Sequence, residues 1–113
     1  MDRNEIKKKL KYAKPVNNKT FEEAVDTTIE YSKTSTVNEE VIIAIEELAE
    51  LQKELTKYIR GEKDNIGIEE EIADVYIILG VIKKLLGLSQ EDIDKIISVK
   101  ISRHIIKNAS RKE

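Results

Sequence analysis

Apolar side chains recur along this chain at intervals of three and four residues, and capping or turn residues break the pattern into helix-length stretches. A first segment, about Asn4 to Tyr12, reads as a short helix that Pro15 and Asn17-Asn18 interrupt. Thr20-Phe-Glu-Glu23 has the form of a capping box and opens a helix through about Lys33. Thr36-Val-Asn-Glu39 repeats that form ahead of a long helix ending near Arg60-Gly61. Gly61 to Gly67 supplies a turn, a further helix runs from about Ile68 to Leu86, and Gly87 stops it. Ser89 with Asp92 caps a last helix that continues to about Asn108. The pattern predicts an all-α protein, an antiparallel bundle of about four helices.

Two of these helices are unusual. At about 100° per residue, Val41, Ala44, Ile45, Leu48, Leu51, Leu55 and Ile59 share one broad apolar face of the long helix. Ile43, Glu47, Glu50 and Glu54 form a second stripe on another flank. The next helix is apolar on nearly every side: from Ile72 to Ile82, Asp74 is the only charged residue. Such a helix is expected to be buried on nearly every side, with Asp74 inside. Surplus apolar surface of this kind is expected to be covered by symmetric homodimerisation through the same helix, where Gly80 could allow close approach.

Composition agrees with a helical domain. Of the 113 residues 37% are charged and only 4% aromatic, with one Pro, which suits a single bundle better than a sheet protein. The chain has no cysteine, so disulfides and thiolate metal sites are excluded. No apolar run approaches the roughly 18 residues of a membrane span and no leader pattern precedes the body, so a soluble cytoplasmic protein is expected. The net charge of −2 is unevenly spread, for Arg3, Lys7, Lys8, Lys9, Lys11, Lys14 and Lys19 face only Asp2 and Glu5 in the first 19 residues. A solvated basic arm is the expectation for residues 1–19, since no base-stacking aromatics or nucleic-acid motif accompany it. Residues 20–108 form the expected domain and 109–113 a frayed tail.

The candidate chemistry lies in two acid pairs, Glu47-Leu-Ala-Glu50 and Glu71-Ile-Ala-Asp74. Residues three apart share a helix face, and the 20 residues between Glu50 and Glu71 suffice to turn and run back. Four carboxylates would then converge between antiparallel helices. Mg²⁺, with Mn²⁺ as its stand-in, suits such oxygen ligands and leaves positions for water and substrate phosphates. A carboxylate buried at Asp74 would otherwise cost several kcal/mol unless a cation or a hydrogen-bond donor meets it. One lysine brings too little positive charge for so many converging acids, which favours a metal over a structural ion pair. Lys57, two turns after Glu50, falls on the same flank and could reach a phosphate, or could be ordinary surface charge.

Glu46-Glu47-Leu-Ala-Glu50-Leu followed by Glu69-Glu70-Glu71-Ile-Ala-Asp74-Val resembles the MazG-like all-α nucleoside triphosphate pyrophosphohydrolases, whose signature is E-E-x-x-E-L and then E-x-x-D. The resemblance covers about residues 38–104. It implies Mg²⁺-dependent cleavage of a (d)NTP between the α- and β-phosphates, giving a nucleoside monophosphate and pyrophosphate, by a homodimer or homotetramer. Glu47, Glu50, Glu71 and Asp74 would hold one or two cations, Glu46 would play a secondary role, and Glu47 or Glu50 would serve as general base. Lys100-Ile-Ser-Arg103 looks like the K-x-x-R that closes many short members, where basic side chains meet the triphosphate. The stretch Thr34 to Glu40 lacks the glutamine that short members bring to the nucleoside pocket, so the resemblance carries no base or sugar preference. A phosphoribosyl-ATP pyrophosphohydrolase is disfavoured, because Ile77 and Ile78 stand where that enzyme carries a histidine.

Two other readings come from the residues themselves. A non-catalytic dimeric helical interaction or regulatory module would make the acids structural. A di-iron carboxylate bundle would need Glu-x-x-His ligands, and the only histidine, His104, has Ile101 three residues before it.

Overall fold

The computed structural model describes residues 4–5, 20–32, 36–62 and 65–112. Apart from Asn4 and Glu5, which are helical, the expected first segment and the basic arm lie outside the described residues, as do Lys63 and Asp64 of the Gly61–Gly67 turn. Four long helices follow in order: α1 (Phe21–Tyr31), α2 (Val37–Ile59), α3 (Asn65–Leu85) and α4 (Gln90–Lys112), and no strand occurs among the described residues. None of them is long and apolar enough to cross a membrane.

The helix ends follow from the capping residues. Thr36 Oγ1 accepts from the Glu39 N–H at 3.1 Å while Glu39 Oε2 accepts from the Thr36 N–H at 3.4 Å, which closes the box at the start of α2. Thr20 Oγ1 likewise accepts from the Glu23 N–H ahead of α1, and Ser89 Oγ from the Asp92 N–H ahead of α4. Both C-terminal glycines adopt positive φ, +89° at Gly61 and +67° at Gly87. Each then donates to the carbonyl three residues back while the following residue reaches the one five back: Gly61 to Tyr58 and Glu62 to Lys57, Gly87 to Lys84 and Leu88 to Lys83. These paired bonds satisfy carbonyls that the helix end would leave open. Two boundaries differ from expectation. Helix α3 begins at Asn65, so Gly67 is a buried helical residue rather than part of a turn, and α4 continues to Lys112 past the expected end at Asn108.

Packing contacts divide the chain into two compact bodies, residues up to Ile82 and residues from Lys83. The first body holds the core: Val25 of α1, Ala44 of α2, and Val75, Ile78 and Val81 of α3. Gly80 gives α1 its seat. A Cβ there would come within 2.9 Å of Val25 Cγ2 and 3.1 Å of Phe21 Cε1, so α1 presses on α3 where no side chain intervenes. The close approach expected of Gly80 is therefore made with α1. The second body consists of the end of α3 and of α4; on α4, among the described residues, only Ile93 is half-buried.

Helix α2 presents a different flank from the one its apolar pattern suggests. Ala44 is buried and Val41 and Leu51 are half-buried, but Ile45, Leu48, Leu55 and Ile59 of the same expected face are exposed. The covered seam runs Glu40, Ala44, Glu47, Leu51, Glu54, in steps of four and three, so three of its five positions are glutamates. Helix α3 is likewise less enclosed than expected. Its covered arc carries Gly67, Glu71, Val75, Ile78 and Ile82, whereas Ile72, Tyr76, Ile77 and Leu79 remain exposed. Asp74 is exposed rather than inside, because it lies about 60° round the helix from Glu71, at the edge of that arc.

Candidate metal centre

Glu47 comes from the middle of the α2 seam, and Glu71 and Asp74 stand one turn apart on α3. Each offers a carboxylate oxygen, and the three oxygens all lie within 4.8 Å of one another. Glu47 and Glu71 are half-buried. No ion pair is recorded at any of the three among the described residues.

Among the described residues, the electrostatics of the cluster are those of acids held together without a counter-charge. Burial, followed by repulsion from Asp74, Glu47, Glu50 and Glu54, pushes the Glu71 carboxyl up to about 7. Burial is also the first cause at Glu47, with repulsion from Asp74, Glu50 and Glu46 adding to it, and its carboxyl is raised. At Asp74 burial alone raises the carboxyl, although the residue as a whole is exposed. Glu71 Oε2 is shielded from solvent and has no hydrogen-bond partner among the described residues. Buried acceptors are nearly always paired, so this oxygen calls for a donor or a cation.

A hard divalent cation fits these residues. It takes carboxylate oxygens from several directions, tolerates water in the remaining positions, and removes the repulsion that lifts Glu71. Three of the four expected ligands come together in this way. Glu50 is exposed and stands outside the triad, yet it is close enough to raise both Glu47 and Glu71. Glu46 is exposed and acts on Glu47 only as a neighbouring charge.

The basic residues are placed differently from one another. Lys57 is half-buried and pairs with Glu54 at 3.3 Å, where the Glu54 side chain is only 11% exposed. Lys100 and Arg103 lie three residues apart on α4, both exposed, in the second body.

Two residues of this flank carry no role in the sequence reading. Glu54 is one, a seam residue whose charge reaches Glu71; the other is Glu40, the buried acid at the first turn of α2. Their signal is present in the chain, since Glu40, Glu47 and Glu54 repeat every seven residues and so share one line along the helix.

An apolar groove follows α2 along Leu48, Leu51, Leu55 and Ile59, with Gln52 and Thr56. It offers no ionisable group among these six residues and has no part in binding a cation. Comparison with known proteins gives no matching family model, no matching curated protein and no matching solved structure.

Proposed function

We propose that this chain is a Mg²⁺-dependent nucleotide pyrophosphohydrolase that cleaves a (d)NTP to a nucleoside monophosphate and pyrophosphate, and that it works as a homo-oligomer. The observation that carries this reading is the meeting of Glu47, Glu71 and Asp74 from two helices around an unpartnered buried oxygen of Glu71. In it, Glu47, Glu71 and Asp74 hold the cation. When bound, the cation neutralises phosphate charge and favours ionisation of an attacking water. Glu50, outside the triad and exposed, would take the proton from that water through a carboxylate oxygen, with Glu47 as the other candidate base. Water adds to phosphorus, the phosphoanhydride bond breaks, and pyrophosphate leaves. Phosphoryl chemistry of this kind asks the protein chiefly for position and charge, which a triad of carboxylates with basic partners supplies. Lys57 would reach phosphate by exchanging Glu54 for it, and Lys100 and Arg103 are the further basic candidates.

The deciding experiment is a panel of dNTPs and NTPs assayed for pyrophosphate, with and without Mg²⁺. Release that needs Mg²⁺ and is lost in Glu50→Gln and Asp74→Asn supports the reading; Mg²⁺-dependent release that persists in both variants overturns the residue assignment. No release from any nucleotide favours a second reading, a non-catalytic dimeric helical module. The exposed apolar side chains of α2 and α3 motivate that alternative. A thermal-shift titration with Mg²⁺ and a nonhydrolysable dNTP separates the two, since a ligand raises the stability of the state that binds it.

A further inference from the structure

Helix α3 turns Asp74 and one of its apolar rows in opposite directions. Glu69, Ile72, Tyr76, Leu79 and Lys83 follow one another in steps of three and four, so they fall within an arc of about 80° on the helix. Asp74 lies about 180° from the middle of that arc. The three apolar members are open to solvent, Ile72 at 38%, Tyr76 at 66% and Leu79 at 44%. Glu69 is exposed and Lys83 half-buried.

The order of residues in this row is self-complementary. Glu69 stands seven residues before Tyr76 and Lys83 seven after; Ile72 stands four before and Leu79 three after. We infer that this row is an interface between two copies of the chain, with the α3 helices antiparallel about a two-fold axis at Tyr76. Tyr76 then meets the partner's Tyr76, Ile72 meets the partner's Leu79, and Glu69 meets the partner's Lys83. A two-fold contact presents the same patch from both sides, which this sequence of charge, apolar centre and opposite charge satisfies. A parallel pairing would set Glu69 against the partner's Glu69 and Lys83 against the partner's Lys83, and like charges would repel. Lys83 donates one hydrogen bond to Gln90 Oε1 of its own chain, and an ammonium has three protons to give. The acids of the candidate centre face away from this contact and stay accessible.

This inference rests on the homo-oligomer part of the reading above and is independent of nucleotide chemistry. Sedimentation of the full chain tests it, with Tyr76→Glu, Glu69→Lys, Lys83→Glu and the double variant Glu69→Lys/Lys83→Glu. The native chain is expected to be a dimer, Tyr76→Glu a monomer, and each single reversal to self-associate roughly 10-fold or more weakly. The double reversal restores the pairing and should recover the dimer, a rescue that misfolding would not give. Because the chain has no cysteine, Tyr76→Cys supplies a second readout. A mild oxidant such as copper phenanthroline should link two copies through Cys at the axis, whereas Tyr31→Cys, at an 88% exposed site on α1, should stay unlinked. A monomeric native chain overturns the homo-oligomer reading itself. A native dimer that survives Tyr76→Glu and both single reversals overturns this interface and leaves the oligomer standing.

Discussion

The two flanks of α3 set opposite problems for water. Toward α2, Glu71 keeps a carboxylate oxygen out of solvent with no partner, among acids that repel it. On the far flank, Ile72, Tyr76 and Leu79 keep hydrocarbon in solvent. Withholding a charge from water costs several kcal/mol unless another charge meets it, while exposed apolar surface forgoes about 25 cal/mol for each Å² left uncovered. A cation answers the first problem and a protein surface the second. The difference teaches that one helix of a thin-cored body can leave two unlike demands, for charge and for apolar cover, that the described residues of its own chain do not meet.

The comparison breaks most visibly at the acid flank. Asp74→Asn and Glu71→Gln should each lower pyrophosphate release on the order of 100-fold or more, because each removes a charged ligand while keeping the side chain's size. Sedimentation of the same variants should show the native mass, since neither residue lies on the outward row. A variant that lost both activity and assembly would show that the flanks are not separable.

A smaller effect concerns stability against pH. Glu71 is raised from 4.5 to about 7 in the folded chain, so its contribution to stability is fully present below pH 4.5 and is lost as pH rises through about 7. The metal-free protein is therefore expected to melt at lower temperature at pH 8 than at pH 5. Glu71→Gln should flatten that slope and melt above the native chain at the higher pH. Adding Mg²⁺ at pH 8 should raise the native melting temperature and leave the variant nearly unmoved. A native slope unchanged by Glu71→Gln would mean that this carboxylate is not the strained group.

The smallest effect belongs to neither flank and serves as a control. Gly80→Ala places a Cβ against Val25 and Phe21, and overpacking should outweigh the gain in helix propensity by about 1 kcal/mol. Urea denaturation measures it. The shift should leave Mg²⁺ dependence intact, because the α1 seat is not part of the acid cluster.

Much of this arrangement is legible in the chain. Thr36 with Glu39, and Gly61 and Gly87, mark helix ends through local bonds that need no tertiary partner. The spacing of Glu71 and Asp74 puts two carboxylates on one side of α3, and the length between the motifs brings Glu47 to them. What is not legible is rotation. On α2 the apolar count points to the side of Leu48 and Leu55, yet the covered seam is the line through Glu40, Glu47 and Glu54. A pattern that scores hydrophobicity does not register a seam whose alternate members are acids. Gly67 misleads for a related reason, since its usual role as a helix breaker gives way to burial inside α3. Asp74 shows the limit of reading burial from neighbours in sequence: its apolar surroundings are spread round the helix, and only part of that circle is covered.

The position of the Glu71 proton has a consequence for how the centre would fill. With its carboxyl pushed up to about 7, Glu71 holds its proton well above the usual carboxylate range, and a cation binds the ionised form. Capture of a metal there would therefore also release a proton, and the two equilibria could not be varied separately. The heat measured on mixing then includes the heat with which the surrounding buffer takes up that proton. Occupancy would rise with alkalinity even at constant metal concentration, because the proton on Glu71 competes with the cation for the same carboxylate.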